Sequence, residues 1–236
     1  MEKKILFVAA THGNEGFTLP ILKKLSKEKG MNNFDWLIAN PRALKEKRRF
    51  IDADLNRVAP GALKSSKYEI RRAYELQKVF AEYETVIDLH GTPANTGIFT
   101  IVTNPSLKNL CLAASLPVER IVIWSPADLS QPGPQTQFVD KGLEIECGPK
   151  DAKEISQQLE NILISIIKNE KKLFENKFYR VFGTLTKKEY QDEKVKLKEF
   201  EEVEIGSEKF YPLLINRYPD KTCYKMEKIN INLTNL

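Results

Sequence analysis

Residues 5–15 of the chain read ILFVAATHGNE, an apolar run that passes directly into a short polar stretch. Consecutive aliphatic and aromatic residues of this length predict a strand that is buried on both faces. The polar stretch contains His12 and Glu15, and leucines at positions 19, 22 and 25 then indicate an amphipathic helix. A buried strand that passes through a turn into a helix begins an α/β unit, so this segment predicts the fold class.

The same alternation of strands and helices continues to about residue 168. Apolar runs predict strands at 5–10, 36–39, 85–89, 98–103, 120–124 and 143–146. Amphipathic patterns predict helices at 15–29, 67–83, 106–115 and 151–168. Strands that alternate with helices predict an α/β fold with a mixed, mostly parallel sheet flanked by helices.

The pattern changes after about residue 172. Apolar and polar residues alternate with a period of two at 177–186, 194–203 and 209–215, which is typical of amphipathic strands. A charged segment, 169–176, separates these strands from the last predicted helix. We therefore predict an α/β domain over residues 1–170 and a small β-rich C-terminal domain over residues 171–236.

The composition is that of an ordinary globular protein, with 236 residues of which 42% are hydrophobic and 29% charged. No apolar run approaches the roughly 20 residues that a membrane span needs, and the apolar start is too short for a signal peptide. Three cysteines without a CxxC motif argue against a disulfide framework. We expect a soluble cytoplasmic protein without a membrane partner, and the sequence leaves homo-oligomerisation open.

The net charge of +5 is unevenly distributed, because ten Lys and Arg residues lie between Arg42 and Arg72. Such a segment is suited to an anionic ligand, either a nucleic acid or a small anion. Asp52 and Asp54 interrupt the segment, and it lacks aromatic residues spaced for base stacking. A nucleic-acid-binding module is therefore the less favoured alternative, and we expect no nucleic-acid partner.

Both histidines of the chain occur where predicted strands end. His12 lies three residues before Glu15 in the turn after the first strand, and His90 directly follows the strand at 85–89. Two imidazoles and one carboxylate are a common ligand set for catalytic zinc, with a fourth position left for water. Asp88 precedes His90 by two residues, so it shares a strand face with His90 and could orient the imidazole. A single histidine at a strand end is more often a packed core residue, so the argument depends on the pair.

Further residues suited to amide chemistry follow along the chain. Arg49 and Arg57 could bind a carboxylate or polarise a carbonyl, and Asn56 could supply an oriented amide donor. Glu146 lies near the carboxyl end of the strand at 143–146, where a glutamate could act as a general base. Taken alone, these residues equally fit a solvated loop and an edge strand.

Five short motifs occur in a fixed order over residues 11–149. They are His12-Gly-Asn-Glu15, Asn40-Pro-Arg-Ala43, Asp54-Leu-Asn-Arg57, Asp88-Leu-His90 and Glu146-Cys-Gly-Pro149. Together they resemble the succinylglutamate desuccinylase/aspartoacylase family of the zinc carboxypeptidase clan. The β-rich end of the chain is similar in kind to the smaller C-terminal domain of that family.

The resemblance implies a zinc-dependent amidohydrolase. One zinc ion would be bound by His12, Glu15 and His90. Glu146 would activate the water molecule at the metal, and Arg49 would polarise the scissile carbonyl. The implied reaction hydrolyses the amide bond of an N-acyl amino acid and releases a carboxylic acid and a free amino acid. A carboxypeptidase-like zinc peptidase of the same clan is the alternative within the same class.

The resemblance also implies the substrate contacts. Asn56 and Arg57 would hold the α-carboxylate of a small anionic N-acyl amino acid. A tyrosine of the C-terminal domain would assist, and Tyr218 and Tyr224 both qualify. Aspartoacylases carry an arginine ten residues before the catalytic glutamate, whereas this chain has Thr136 there. This difference removes the expectation of N-acetylaspartate as the particular substrate.

Overall fold

In the computed structural model, residues 5–170, 175–190 and 195–232 are described. Their strands are β1 Ile5–Ala9, β2 Phe34–Ile38, β3 Thr85–Gly91, β4 Gly97–Val102, β5 Arg120–Ile123, β6 Gly142–Gly148, β7 Lys177–Thr186, β8 Val203–Ile205, β9 Glu208–Leu213 and β10 Lys221–Ile229. Their α-helices are α1 Leu19–Leu25, α2 Pro41–Lys45, α3 Tyr68–Phe80, α4 Leu107–Ser115, α5 Lys153–Ile167 and α6 Lys187–Tyr190. Within these ranges no helix is both long and apolar enough to cross a bilayer.

The ten strands found in the described residues form one sheet in the order β2-β1-β3-β6-β4-β5-β7-β10-β9-β8. Strands β2, β1, β3 and β6 are parallel, β4 runs antiparallel to β6, and β5 pairs in parallel with β4 and β7. The pairs among β7, β10, β9 and β8 are antiparallel. The predicted mixed, mostly parallel sheet with flanking helices is confirmed. Because β7 extends the same sheet, the domain boundary at residue 170 stays a prediction.

The two faces of the sheet are covered differently, and this difference positions the cavity. Helices α1, α4 and α5 pack on one face through a large apolar cluster that includes Leu22, Leu112 and Leu159. On the opposite face, α3 covers β1 and the start of β3. A separate apolar cluster around Phe99 and Met226 covers the region of β4, β5 and the C-terminal strands. The strip of sheet between these two clusters carries polar residues.

The register of β3 and β6 produces this polar strip. Asp88 pairs with Glu144 and His90 pairs with Glu146. Paired residues of adjacent strands share a face, and residues two apart along a strand share it too. The four side chains therefore project together from the part of this face that α3 leaves uncovered.

Two predictions about secondary structure were wrong, and one strand was missed. The helix predicted over 15–29 contains a 3-10 turn at Gly16–Thr18 and an α-helix only at Leu19–Leu25, because the site turn occupies its first residues. The strand predicted over 194–203 is a loop from residue 195 to 202, in which Phe200 has a φ of 60°. Strand β10 was not predicted. Residue 194, and residues 171–174 of the charged segment, lie outside the described residues.

Candidate active site

A cavity of about 490 Å³ lies on the polar strip, between the α/β part of the sheet and the loop that joins β9 to β10. The side chains that the sequence predicted for the site all line it: His12, Glu15, Arg49, Asn56, Arg57, His90, Glu146, Tyr218 and Tyr224. Residues separated by more than 200 positions in the chain therefore meet in one cavity. This shared location makes it the candidate active site.

A buried carboxylate joins the two histidines. Glu15 Oε1 lies 2.9 Å from Nδ1 of His12, and Glu15 Oε2 lies 3.2 Å from Nδ1 of His90. The backbone N–H of Gly91 also donates to Oε2, at 3.1 Å. Glu15, His12 and His90 are each less than 5% exposed. Two imidazole nitrogens and one carboxylate oxygen thus converge in a region shielded from bulk water.

These three residues fit a zinc ion by the chemistry of their donors. One ligand atom from each lies within 4.8 Å of the other two. Two histidine nitrogens and one carboxylate oxygen are a ligand set of catalytic zinc sites. Histidine ligands of metals present their second ring nitrogen to a carboxylate or carbonyl, and this requirement provides an independent check.

Both second ring nitrogens face a carboxylate. His12 Nε2 lies 3.1 Å from Oδ1 of Asp54. His90 Nε2 lies 3.0 Å from Oδ2 of Asp88, without the alignment of a hydrogen bond, while Thr11 donates its hydroxyl to Asp88. A carboxylate at Nε2 keeps the proton of the ring on that nitrogen and leaves the lone pair of Nδ1 for a metal ion. Both histidines therefore have the second-nitrogen partner that metal-binding histidines require. The contact of Asp54 with His12 was not predicted from the sequence.

The ionisation of the cluster is set by its mutual contacts. Burial lowers the pKa of both imidazoles, but the carboxylates outweigh it, so Glu15 raises the pKa of His12 and Asp88 raises that of His90. Burial raises the pKa of Glu15 and of Asp54, yet the charge and hydrogen bond of His12 hold both pKa values well below their usual range. Each carboxylate therefore favours a proton on the imidazole beside it, and a bound metal ion would take the place of that proton at Nδ1.

Glu146 differs from this cluster. Burial and the negative charge of Glu15 raise the pKa of Glu146 to about 8. The pKa values of Glu15 and Glu146 thus lie on opposite sides of neutrality. This is typical of sites in which one carboxylate stays ionised and the other exchanges protons. Glu146 has the electrostatic setting that a proton-transfer group needs near neutral pH.

The two arginines lie at the more exposed rim of the cavity. Asp54 accepts a hydrogen bond from Nε of Arg49 at 3.0 Å, and one terminal nitrogen of Arg49 lies 2.9 Å from the same carboxylate oxygen. The other terminal nitrogen lies 3.9 Å from Glu15, on the side of the histidines. Arg57 donates to the carbonyl of Asn56 at 2.6 Å. Both guanidinium groups are thus oriented by the loop that carries them.

Asn56 is 4% exposed, and both ends of its side-chain amide bind protein atoms. Nδ2 donates to Oε1 of Glu144 at 2.9 Å, and Oδ1 accepts from the backbone N–H of Gln135 at 3.2 Å. These bonds fasten the loop to β6 and to the 3-10 turn Gln135–Phe138. The substrate contact of Asn56 stays a prediction, and Arg57 is the more accessible donor.

The two tyrosines have different neighbours. Burial and the neighbouring Tyr224 raise the pKa of Tyr218 to about 12, while the charges of Arg57 and Arg49 oppose this shift. The Tyr218 hydroxyl therefore lies within the electrostatic reach of the arginine rim. The ring of Tyr224 instead packs against Trp124, with centroids 4.3 Å apart. The rings of the two tyrosines also contact each other, with centroids 5.5 Å apart, and the substrate contact of either one stays a prediction.

The deep wall of the cavity is uncharged and largely apolar. Ile101, Thr103 and Leu214 line it and are 5%, 2% and 6% exposed. Trp124 and Tyr224 complete this wall. Apart from Tyr224, its residues were not singled out by sequence analysis, because an apolar side chain that lines a cavity has the same sequence pattern as one in the core.

The basic segment is largely committed to internal contacts. Arg42 stacks over the ring of Tyr68, with 4.6 Å from its Cζ to the ring centroid. Arg71 donates to the carbonyl of Ser65, and Arg72 donates to the carbonyl of Ala39. These arginines stabilise the loop around α3, so the local excess of positive charge does not by itself indicate a polyanion partner.

The fold and the site together define a class of protein: a mixed α/β sheet with a buried His-Glu-His group in a cavity on one face. Residues 1–166 match the family model described as the succinylglutamate desuccinylase/aspartoacylase catalytic domain, so the chain belongs to this family. The resemblance predicted from the motifs is confirmed.

Individual relatives agree with this assignment. A probable aspartoacylase of Prochlorococcus marinus (strain MIT 9215) is 37% identical over 128 residues, which cover 48% of this chain and 42% of that protein. The N-acyl-aromatic-L-amino acid amidohydrolase (carboxylate-forming) B of Danio rerio is 36% identical over 110 residues, which cover 39% of this chain and 35% of that protein. The matches thus span less than half the length of either relative.

Solved structures show the same fold. Murine aminoacylase 3 has a TM-score of 0.74 at 21% sequence identity, with 96% of this chain and 95% of that chain covered. The succinylglutamate desuccinylase from Chromobacterium violaceum has a TM-score of 0.69 at 16% identity, with 98% and 86% covered. The fold likeness includes the C-terminal strands, which the family model does not reach.

Proposed function

We propose that this protein hydrolyses the amide bond of N-acyl amino acids with one zinc ion held by His12, Glu15 and His90. The observation that carries the proposal is the meeting, in one cavity, of this buried ligand set with Glu146 and a rim that includes Arg49 and Arg57. The ligand set suits a metal ion, Glu146 suits proton transfer, and the arginines suit a carboxylate of the substrate. The products are a carboxylic acid and a free amino acid.

When bound, zinc supplies the Lewis acidity that activates water and polarises the scissile carbonyl. Glu146 accepts a proton from the attacking water and delivers it to the nitrogen of the departing amine as the carbon–nitrogen bond breaks. Arg49 directs the terminal nitrogen that faces Glu15 to the side of the histidines and donates to the carbonyl oxygen as negative charge develops there. Arg57, with the hydroxyl of Tyr218 nearby, pairs with the α-carboxylate and fixes the orientation of the substrate.

Within this substrate class, we propose a preference for N-acyl amino acids whose side chain is uncharged and preferably aromatic. The arginines stand at the exposed rim, whereas Ile101, Leu214 and Trp124 form an apolar wall without a charge of their own. A carboxylate placed against these side chains would lose hydration without gaining an ion-pair partner from them. The name of the Danio rerio relative, which specifies N-acyl-aromatic amino acids, agrees with this preference.

The remaining proposals concern the alternative reaction, the location and partners of the protein, its domain boundary and its oligomeric state. A carboxypeptidase-like peptidase would use the same ligand set and differs in the substrate it accepts. We propose a cytoplasmic location without nucleic-acid or membrane partners, and a functional boundary near residue 170 between the hydrolase part and the β-rich part. A homo-oligomer is compatible with all of these.

A hydrolysis screen with zinc-loaded protein tests the function and its alternative together. We expect N-acetyl-L-phenylalanine to be hydrolysed with a kcat/KM about tenfold or more above that of N-acetyl-L-aspartate, because the deep wall does not compensate a charge. N-succinyl and N-formyl amino acids complete the series, and dipeptides with a free carboxyl terminus represent the peptidase. Protein stripped by a chelator is the control. Release of amino acids from dipeptides alone would replace our proposal with the peptidase, and inactivity on every compound would overturn both.

A further inference from the structure

The loop that carries Arg49 and Arg57 is hydrogen-bonded through its backbone to one buried carboxylate. Glu69, in the first turn of α3, is fully buried. Its Oε1 accepts the backbone N–H of Ile51 at 2.6 Å, and its Oε2 accepts those of Asp52 and Ala53 at 2.9 and 3.1 Å. The Glu69 carboxylate thus accepts hydrogen bonds from three consecutive backbone N–H groups.

This contact lies midway between the functional residues of the loop. Arg49 lies two residues before Ile51, and Asp54, which contacts His12, follows Ala53 directly. Fixing the backbone at 51–53 therefore fixes the directions in which these side chains leave the loop. Without the carboxylate, three buried or half-buried N–H groups would have to find other acceptors.

The opposite wall is held in the same way. Glu199 accepts the backbone N–H of Leu214 and that of Ile215, each at 2.8 Å and each on a separate carboxylate oxygen. Leu214 and Asn216 have φ values of 56° and 55°, a left-handed conformation that costs free energy for residues other than glycine. Leu214 and Tyr218, both on this loop, line the cavity. The carboxylate stabilises a turn that would otherwise relax.

We propose that Glu69 and Glu199 are positioning residues that set the shape of the substrate cavity, Glu69 on its arginine side and Glu199 on its tyrosine side. Neither residue belongs to the predicted site or lines the cavity. Each acts through the backbone of a loop that does. Only the name of the substrate, an N-acyl amino acid, rests on the proposed function; the clamping of the loops does not.

Glutamine is the informative replacement at both positions. It keeps the size of the side chain but exchanges one acceptor oxygen for an amide group that points its own hydrogens at a backbone N–H. Aspartate keeps both acceptors on a shorter stem and provides a milder variant. Exposed glutamates on the same segments serve as matched controls: Glu75→Gln on α3, and Glu201→Gln two residues after Glu199.

Hydrogen exchange of the full chain, followed by mass spectrometry, tests the clamps without any assay of activity. Glu69→Gln should accelerate exchange about tenfold or more in peptides that contain residues 51–53, and Glu199→Gln in those that contain 214–215. Each variant should leave the other loop unchanged, and both controls should match the wild type. Unchanged exchange in folded glutamine variants would overturn the proposal. If a glutamine variant does not fold, the aspartate variant must show the same local acceleration or the proposal fails.

Steady-state kinetics test the consequence for the substrate. Glu69→Gln should raise KM about tenfold and lower kcat by a smaller factor, because misdirected arginines weaken binding of the carboxylate. With the carboxamide of the same N-acyl amino acid, this KM penalty should disappear. Glu199→Gln displaces Leu214 from the apolar wall, so it should raise KM for the acid and the carboxamide alike. Equal KM effects of Glu69→Gln on acid and amide would overturn its action through the arginines. A wild type that hydrolyses neither compound would refute the proposed function and leave the exchange result standing.

Discussion

Replacing His12 or His90 with alanine is expected to remove bound metal and hydrolysis together. Each histidine supplies one of only two imidazole nitrogens in the ligand set, and both converge on Glu15 inside a region closed to bulk water. With one ring deleted, two protein ligands remain, and the affinity for zinc falls far below that of the intact set. We expect about one zinc per chain in the wild type and close to none in either variant, by elemental analysis of purified protein.

A variant next to the ligands separates the loss of a ligand from general damage. Asp54→Asn keeps both histidines and Glu15 but weakens the contact that orients His12. Loss of such an orienting carboxylate costs roughly 10- to 100-fold in metal affinity or activity, so zinc should still bind at saturating concentration. Thermal unfolding of all variants confirms that they are folded. Full zinc occupancy in both histidine variants would disprove the ligand assignment.

Local sequence patterns were sufficient for most of the fold. The short runs Ile5–Ala9 and Arg120–Ile123 are strands in the structure, because brief runs rich in aliphatic and β-branched residues favour a strand that is covered on both faces of a sheet. Strand β10 escaped prediction because its buried residues Thr222, Cys223 and Met226 do not follow a period of two along the strand. The antiparallel direction of β4 has no local signal at all, because it depends on which strand the chain meets.

The site follows the same division between local and distant information. The spacing of His12 and Glu15 is local, so their convergence could be predicted from a turn. The contact of His12 with Asp54 joins residues 42 positions apart, and that of Asn56 with Glu144 joins residues 88 positions apart. Such pairs are set by the packing of loops on the sheet, which periodicity does not encode. The fully buried Glu69 was missed for this reason too, since a glutamate at a helix start ordinarily faces solvent.

Replacing Glu146 with alanine or glutamine should leave zinc in place and nearly abolish turnover. Glu146 lies beside His90 in the sheet register but outside the group of residues whose ligand atoms converge. Its carboxyl, with a pKa raised to about 8, is the group suited to carry a proton between water and amine. Loss of a positioned general base costs about 10² to 10⁴ in rate, so kcat should fall by that factor.

The adjacent carboxylate provides the matched control for Glu146. Glu144 projects from the same face of β6, but it accepts a hydrogen bond from Asn56 and so serves the loop. Glu144→Gln should therefore retain a kcat well above that of Glu146→Gln, with equal zinc content in both. Unchanged turnover of the Glu146 variants would exclude its role in proton transfer. Loss of zinc from them would instead make Glu146 a metal ligand, because a group that only moves protons is dispensable for binding the ion.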